Sequence, residues 1–221
     1  TMLITAFEPF GGETVNPSER AVFALPDTVG EFRLSRLCIP VTFGEAADCV
    51  IRAAEALHPD VILCIGQAGG RAAITPELVG INLRHASIPD NDGLQPKDEP
   101  ILQKGAKAHF STLPVRKMAE AIAATGVPSH VSYSAGAYVC NDVLYTLLSH
   151  YEGSDTRVGF IHVPYSTEQG KTPAMEMADI MKGLTAAIEN LDDIFDLKHL
   201  RHLPYDSFSC GRTSPSSRVL P

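Results

Sequence analysis

The chain has 221 residues, the length of one large domain and enough to bury a substantial core. Hydrophobic residues make up 44% and charged residues 20%, an ordinary balance for a globular protein, and a net charge of −8 argues against a nucleic-acid footprint. No apolar run is long enough to span a bilayer, the first residues lack the basic and apolar regions of a signal peptide, and five cysteines without CxxC spacing fit free thiols in a reducing cytoplasm better than disulfides or a zinc site.

Strand and helix patterns alternate along the chain. Met2–Ala6 is an apolar strand. A helix is predicted over Pro17–Ala24, with Asn16 as N-cap and Pro17 at the first helical position. Phe32–Ile39 alternates as a strand does. Gly44–Leu57 places Ala46, Ala47, Val50, Ile51, Ala54 and Leu57 on one stripe at helical spacing. Val61–Ile65 is continuously apolar, as in a central parallel strand covered on both faces.

Ala73–Leu83 reads as one or two extended pieces, and Ser87–Lys104 as a long irregular loop. Pro114–Ala124 is a helix ended by Gly126 and Pro128. A short strand from Val131, a turn at Ala135-Gly136 and a helix from Val139 come next. A strand over Arg157–Val163 and a helix over Pro173–Leu191 follow. This order predicts an α/β fold: a single-domain three-layer sandwich, with helices flanking a twisted, mostly parallel central sheet. The domain is expected over residues 1–195. The segment 196–221, including His199, His202 and Cys210, lacks periodicity and reads as a flexible tail or one foreign to the fold.

Cys140 stands where a helix begins. Unpaired N–H groups and the helix dipole favour negative charge there, so a lowered thiol pKa and a reactive thiolate are expected. The competing reading is a buried small hydrophobe. That reading suits Cys38, Cys49 and Cys64, which lie inside apolar strand or helix patterns. His162, near the end of the strand before Pro164, is either a satisfied core histidine or a base facing the crevice at the carboxyl ends of the strands. The other seven histidines read as surface residues. Glu77 sits in the apolar segment Ile74–Asn82, where a carboxylate must be paired or must face water. Gly66-Gln-Ala-Gly-Gly-Arg71 follows the central strand. It is a weak phosphate-cradle signal and also suits a tight turn that lets backbone approach a ligand. Phe7 and Phe10 flank the Gly11-Gly12 loop, either as core or as an apolar wall near Cys140 and Gln67.

Taken together and in order, several segments resemble the pyroglutamyl peptidase I family of cysteine peptidases. They are Phe7-Glu-Pro-Phe-Gly-Gly-Glu-Thr-Val-Asn-Pro17, Gly66-Gln-Ala-Gly-Gly-Arg71, Thr75-Pro-Glu-Leu-Val-Gly-Ile-Asn82, Ile88-Pro-Asp-Asn91, Ser132–Asn141 and Phe160-Ile-His-Val-Pro-Tyr165. The resemblance runs from the first strand to about Leu191. It implies that Cys140 is the nucleophile, His162 the general base and acid, and Glu77 the group that orients His162. It also implies a cytoplasmic, cofactor-free homo-oligomer, often a tetramer, acting on N-terminally pyroglutamylated peptides.

The chain departs from the family pattern in three places. Leu78-Val79-Gly80 stands for the usual Arg-Val-Ala, Ser87 for the usual Arg, and Pro40-Val-Thr-Phe43 for Pro-Thr-Val-Phe. The first two remove positive charge near the expected site.

A pyroglutamyl residue presents a neutral lactam, so its pocket needs apolar walls and polar groups for the ring carbonyl and N–H, with no buried carboxylate. Phe7, Phe10, Ile88, Tyr138 and Val139 can supply walls, and Asn16 and Gln67 both donor and acceptor. No metal or cofactor is expected. The rival reading is a non-peptidase α/β protein that binds a nucleoside or phosphate at the Gly66–Arg71 turn. A weakly active member of the resembling family is a third.

Overall fold

The structure, a computed structural model, describes residues 1–191. The expected boundary at residue 195 and the expected tail over 196–221 lie outside the described residues.

In chain order the elements are β1 (Met2–Phe7), α1 (Pro17–Ala24), β2 (Thr28–Val29), β3 (Phe32–Ile39), α2 (Glu45–Leu57), β4 (Val61–Gln67), β5 (Thr75–Pro76), β6 (Val79–Ile81) and β7 (Ala108–Phe110). Then come α3 (Val115–Ala124), α4 (Val139–His150), β8 (Arg157–Val163), β9 (Tyr165–Ser166), β10 (Ala174–Met175) and α5 (Met177–Glu189). The main sheet has the order β2-β3-β1-β4-β8-β5. Its four long strands are mutually parallel, and the short β2 and β5 run antiparallel at the two edges.

Side chains leave the sheet alternately. Met2, Ile4, Ala6, Val61, Leu63 and Ile65 pack on one face with Ala21, Met118, Ile122, Ile180 and Leu184 of α1, α3 and α5. Leu3, Phe7, Ile62, Cys64, Val158 and Phe160 pack on the other with Ala47, Val50, Val139, Val143 and Leu147 of α2 and α4. This is the predicted three-layer sandwich. Because β1, β4 and β8 are parallel, their carboxyl ends meet at one edge of the sheet, and α4 starts there.

Two predicted elements differ. The segment from Val131 forms only an isolated bridge, of Ser132 to Glu77, with another of Ser129 to Ile74 just before it, because its backbone bonds are spent straddling β5: Ser132 donates to the Pro76 carbonyl and accepts from Leu78. The last helix begins at Met177, not Pro173, since Ala174 and Met175 pair with Tyr165 and Ser166. The region 87–104 has no helix or strand, as expected of a loop.

Candidate active site

Strand β5 brings Glu77 to His162. Thr75 is the antiparallel partner of His162, and the Glu77 N–H donates to the Phe160 carbonyl at 2.9 Å. The Glu77 side chain is fully buried, which excludes the reading in which it faces water. Its Oε1 lies 2.6 Å from His162 Nδ1 and 2.6 Å from the Arg71 guanidinium. An ionised carboxylate can only accept, so Nδ1 carries the proton and Nε2 is left as the basic nitrogen. Burial opposes the charge on Glu77. The His162 hydrogen bond and charge, with help from the Ser132 hydroxyl and then Arg71, outweigh it and hold the carboxyl below its ordinary value. Burial, followed by Arg71 as a lesser influence in the same direction, keeps His162 below its ordinary value despite Glu77, so the imidazole is neutral near pH 7.

Cys140 reaches the same place from the opposite side. Gly66 is the register partner of His162 on the neighbouring parallel strand. A Cβ on Gly66 would stand 3.0 Å from Cys140 Sγ and 2.8 Å from the Phe160 ring. The Phe160 ring in turn packs on His162, with centroids 4.7 Å apart. Thiol, imidazole and carboxylate therefore converge beside one residue that has no side chain to intrude. No hydrogen bond joins Cys140 to His162 among the described residues. Contrary to expectation, the thiol pKa is raised, to about 12, by burial first and by the Glu77 charge and Cys64 next, with Arg71 opposing. The resting pair is thus a thiol beside a neutral imidazole.

Helix α4 is held firmly where it starts. Tyr138 at its N-cap makes no side-chain capping bond, which leaves first-turn N–H groups uncapped by that side chain. The buried Asn141 accepts from the Ile81 N–H and donates to the carbonyls of Ile81 and Leu83. Asp142, also buried, accepts from Arg84 at 2.6 Å and from the Gly44 N–H at 2.8 Å. A Cβ on Gly80 would meet the Tyr145 backbone nitrogen at 2.9 Å, which accounts for glycine at this departure from the family pattern. Leu78 is half-buried and Ser87 exposed. The positive charge paired with Glu77 is that of Arg71.

The expected pocket residues separate into groups. Phe10 and Tyr138 lie side by side, 6.2 Å between centroids, and Tyr138 meets Phe43 edge-on. Ile88 is 42% exposed, and its Cδ1 lies 3.7 Å from where a Cβ on Gly11 would be. Phe7 and Val139 are core instead: both are buried, and Phe7 packs on Phe160. They support the site from beneath without lining its surface. Asn16 is buried and engaged in the protein, donating to the Glu8 carbonyl and accepting from the Ser18 N–H and hydroxyl as the cap of α1. Gln67, next after Gly66 on β4, leaves the sheet on the other face and accepts from Gln169 at 2.9 Å.

Two further expectations are corrected. Cys38 is exposed and Cys49 half-buried, because each falls on the outward side of its element, whereas Cys64 is buried. His109 is also half-buried, its ring 5.1 Å from that of Tyr145.

Sequence reasoning passed over the roles of Arg71, Gly66 and Asn141. The available signals were an arginine six residues before a buried glutamate and a glycine inside an otherwise apolar strand. The Gly66–Arg71 turn is not arranged as a phosphate cradle. Its arginine is bound to Glu77, and a Cβ on Gly69 would fall 2.1 Å from the Tyr165 hydroxyl.

Comparison with known proteins agrees with this geometry. Residues 1–193 match the family model described as pyroglutamyl peptidase. A pyrrolidone-carboxylate peptidase of Staphylococcus haemolyticus (strain JCSC1435) is 48% identical over 203 residues, covering 89% of this chain and 96% of that one. One from Levilactobacillus brevis (strain ATCC 367) is 47% identical over 193 residues, covering 85% and 95%. Among solved structures, pyroglutamyl peptidase I of Bacillus amyloliquefaciens superposes with a TM-score of 0.84 at 41% identity, covering 87% of this chain and 96% of that one. The pyrrolidone carboxyl peptidase of Thermococcus litoralis does so with 0.84 at 35%, covering 89% and 95%.

Proposed function

The chain belongs to the pyroglutamyl peptidase family, and we infer that Cys140, His162 and Glu77 are the groups that carry its reaction. It is a cysteine peptidase that removes an N-terminal pyroglutamyl residue from peptides. The observation that supports the assignment of residues is the convergence of Cys140 and the Glu77–His162 pair on Gly66.

The chemistry follows from the resting protonation. His162 Nε2 takes the thiol proton as Cys140 Sγ attacks the carbonyl that joins pyroglutamate to the next residue. The resulting oxyanion is stabilised by uncapped N–H groups at the start of α4, where one such donor is typically worth about 3 kcal/mol. Collapse breaks the C–N bond, the imidazolium gives its proton to the leaving amine, and a thioester remains on Cys140. Water, deprotonated by His162, then cleaves the thioester, releasing pyroglutamate and restoring the thiol. Glu77 stays ionised throughout, holding the imidazole in one tautomer and stabilising its cationic form.

Phe10, Tyr138 and Ile88 form the apolar wall for the ring, with Phe7 and Val139 packed behind them. The protein acts in the cytoplasm as a homo-oligomer, a tetramer by the family pattern. Light scattering behind size exclusion that gives only a monomer mass would discount that assembly.

The deciding assay is release of amine from a pyroglutamyl-arylamide beside its prolyl counterpart, with and without reductant. Turnover of the lactam substrate alone, dependent on a reduced thiol and abolished in Cys140→Ser, is the expected result. Undiminished activity of Cys140→Ser would remove Cys140 from its role.

A further inference from the structure

Arg71 is the one residue of the glycine-rich turn whose side chain enters the site. Its side chain is about three-quarters buried, and each end of its guanidinium is used. One amino group binds Glu77 Oε1 at 2.6 Å and the Thr75 hydroxyl. The other donates to the Ser134 carbonyl at 3.1 Å. Ser134 belongs to the strap between α3 and α4: its hydroxyl accepts from the Gly136 N–H, and two residues later Tyr138 stands at the N-cap position of the helix that carries Cys140. Arg71 is the permanent cation opposite this carboxylate, whose second oxygen, Oε2, is buried. An arginine fork can hold two acceptors in fixed relation, whereas an ammonium acts as a point charge.

We propose that Arg71 is a positioning residue of this active site, tying the carboxylate that orients His162 to the strap that delivers Cys140. It touches neither the thiol nor the substrate carbonyl, and acts through Glu77 and Ser134. This rests on the assignment of Cys140, His162 and Glu77 as the reacting set. The ionisable groups acting on His162 are Glu77 next to β5 and Arg71 from the turn after β4; the same two act on Cys140 of α4, with Cys64 of β4 beside the thiol. Within that set Arg71 is the only fixed positive charge. Removing it raises the proton affinity of His162 and lets the Glu77–His162 pair hold a proton at higher pH.

Two substitutions separate charge from geometry. Arg71→Met should lower kcat about tenfold to a hundredfold, the scale on which misplacement by about 1 Å is felt, with KM little changed. It should also move the acid limb of the kcat/KM profile to higher pH. Arg71→Lys should leave that limb close to its original position and still lose part of kcat, because one ammonium cannot span Glu77 and Ser134. A Glu77→Gln and Arg71→Met double variant should lose no more than the worse single change. An Arg71→Met enzyme with the original kcat and acid limb overturns the proposal. If Arg71→Met does not fold, Arg71→Lys decides alone, and unaltered kcat in it overturns the proposal. If Cys140→Ser keeps full turnover, it is the catalytic assignment beneath this inference that falls.

Discussion

A side chain on Gly66 would begin 3.0 Å from the sulfur of Cys140. Gly66 also pairs in register with His162, so the first carbon of any substituent crowds the sulfur on the face of the sheet from which His162 projects. Gly66→Ala should therefore cut kcat/KM by about a hundredfold or more, through displacement of the nucleophile. The stability cost should be only about 1–3 kcal/mol, the usual range for overpacking against a ring such as Phe160. Urea melts beside steady-state kinetics check this. A fully active alanine variant would show that Cys140 and His162 approach by another path.

His162 and Glu77 should not be equal in effect. His162→Ala removes both proton transfers and should be as damaging as Cys140→Ser, a loss of about 10³-fold or more. Glu77→Ala leaves the imidazole in place but free to turn, so a measurable residual rate is expected. Equal rates for the two alanine variants would mean that Glu77 does more than orient.

The raised thiol and lowered imidazole values set the pH profile. Activity should rise through a single ionisation below 6.5, as His162 becomes neutral and able to accept a proton. It should not fall through a thiol ionisation near neutrality, because Cys140 keeps its proton to about 12. Alkylation of Cys140 by iodoacetamide should likewise climb with pH without a plateau around pH 7. A plateau there would identify a preformed thiolate and reverse the protonation assigned to the resting pair.

Stability should follow the same groups. Glu77 has a folded value below its unfolded 4.5, so its contribution is present above 4.5 and is lost as pH falls through the folded value. His162, also depressed, is neutral in both states above 6.5 and opposes folding as pH drops below that, where only the unfolded chain readily takes the proton. Cys140 and Cys64 are raised from 9.0 to about 12, so the unfolded chain alone ionises above 9 and stability declines from there upward. Chemical denaturation across pH should give a plateau between about 6.5 and 9, and Cys140→Ser should lessen the alkaline decline.

Asn141 carries three hydrogen bonds from α4 to the β6 segment and is fully buried. Asn141→Ala would leave the Ile81 N–H and the Leu83 carbonyl without the amide, while the Ile81 carbonyl keeps its bond from the Leu83 N–H. At about 1–3 kcal/mol for an orphaned buried group, a loss of several kcal/mol in denaturant melts is expected. A loss below about 1 kcal/mol would mean that water replaces the amide.

The parts of the fold that were legible in the sequence are those specified locally. Asn16-Pro17 announces a helix start because the side-chain cap and the fixed proline φ act within two residues, and the structure has that bond at 3.0 Å. The run Val61–Ile65 announces a central strand because both its faces are covered. Glu77 could be read only as paired or exposed, since the partners that decide between these are Arg71, six residues earlier, and His162, 85 residues later. The Cys140 ionisation was misjudged for a related reason. The helix start is visible in the sequence, while the burial and the Glu77 charge that oppose it come from strands distant in the chain. Asn16 and Gln67 have the right chemistry for a lactam, but where an amide points is a tertiary fact.

Strand β5 is only two residues long, and its second residue is Pro76. Proline has no N–H to offer, and the Pro76 carbonyl and Leu78 N–H are already taken by Ser132. Among the described residues the sheet therefore presents no open ladder beside the reacting groups, and that edge offers nothing for an added strand to pair with. Many peptidases take hold of substrate backbone over several residues. Here the edge next to the scissile bond is closed to that mode, so affinity has to be concentrated on the terminal ring itself.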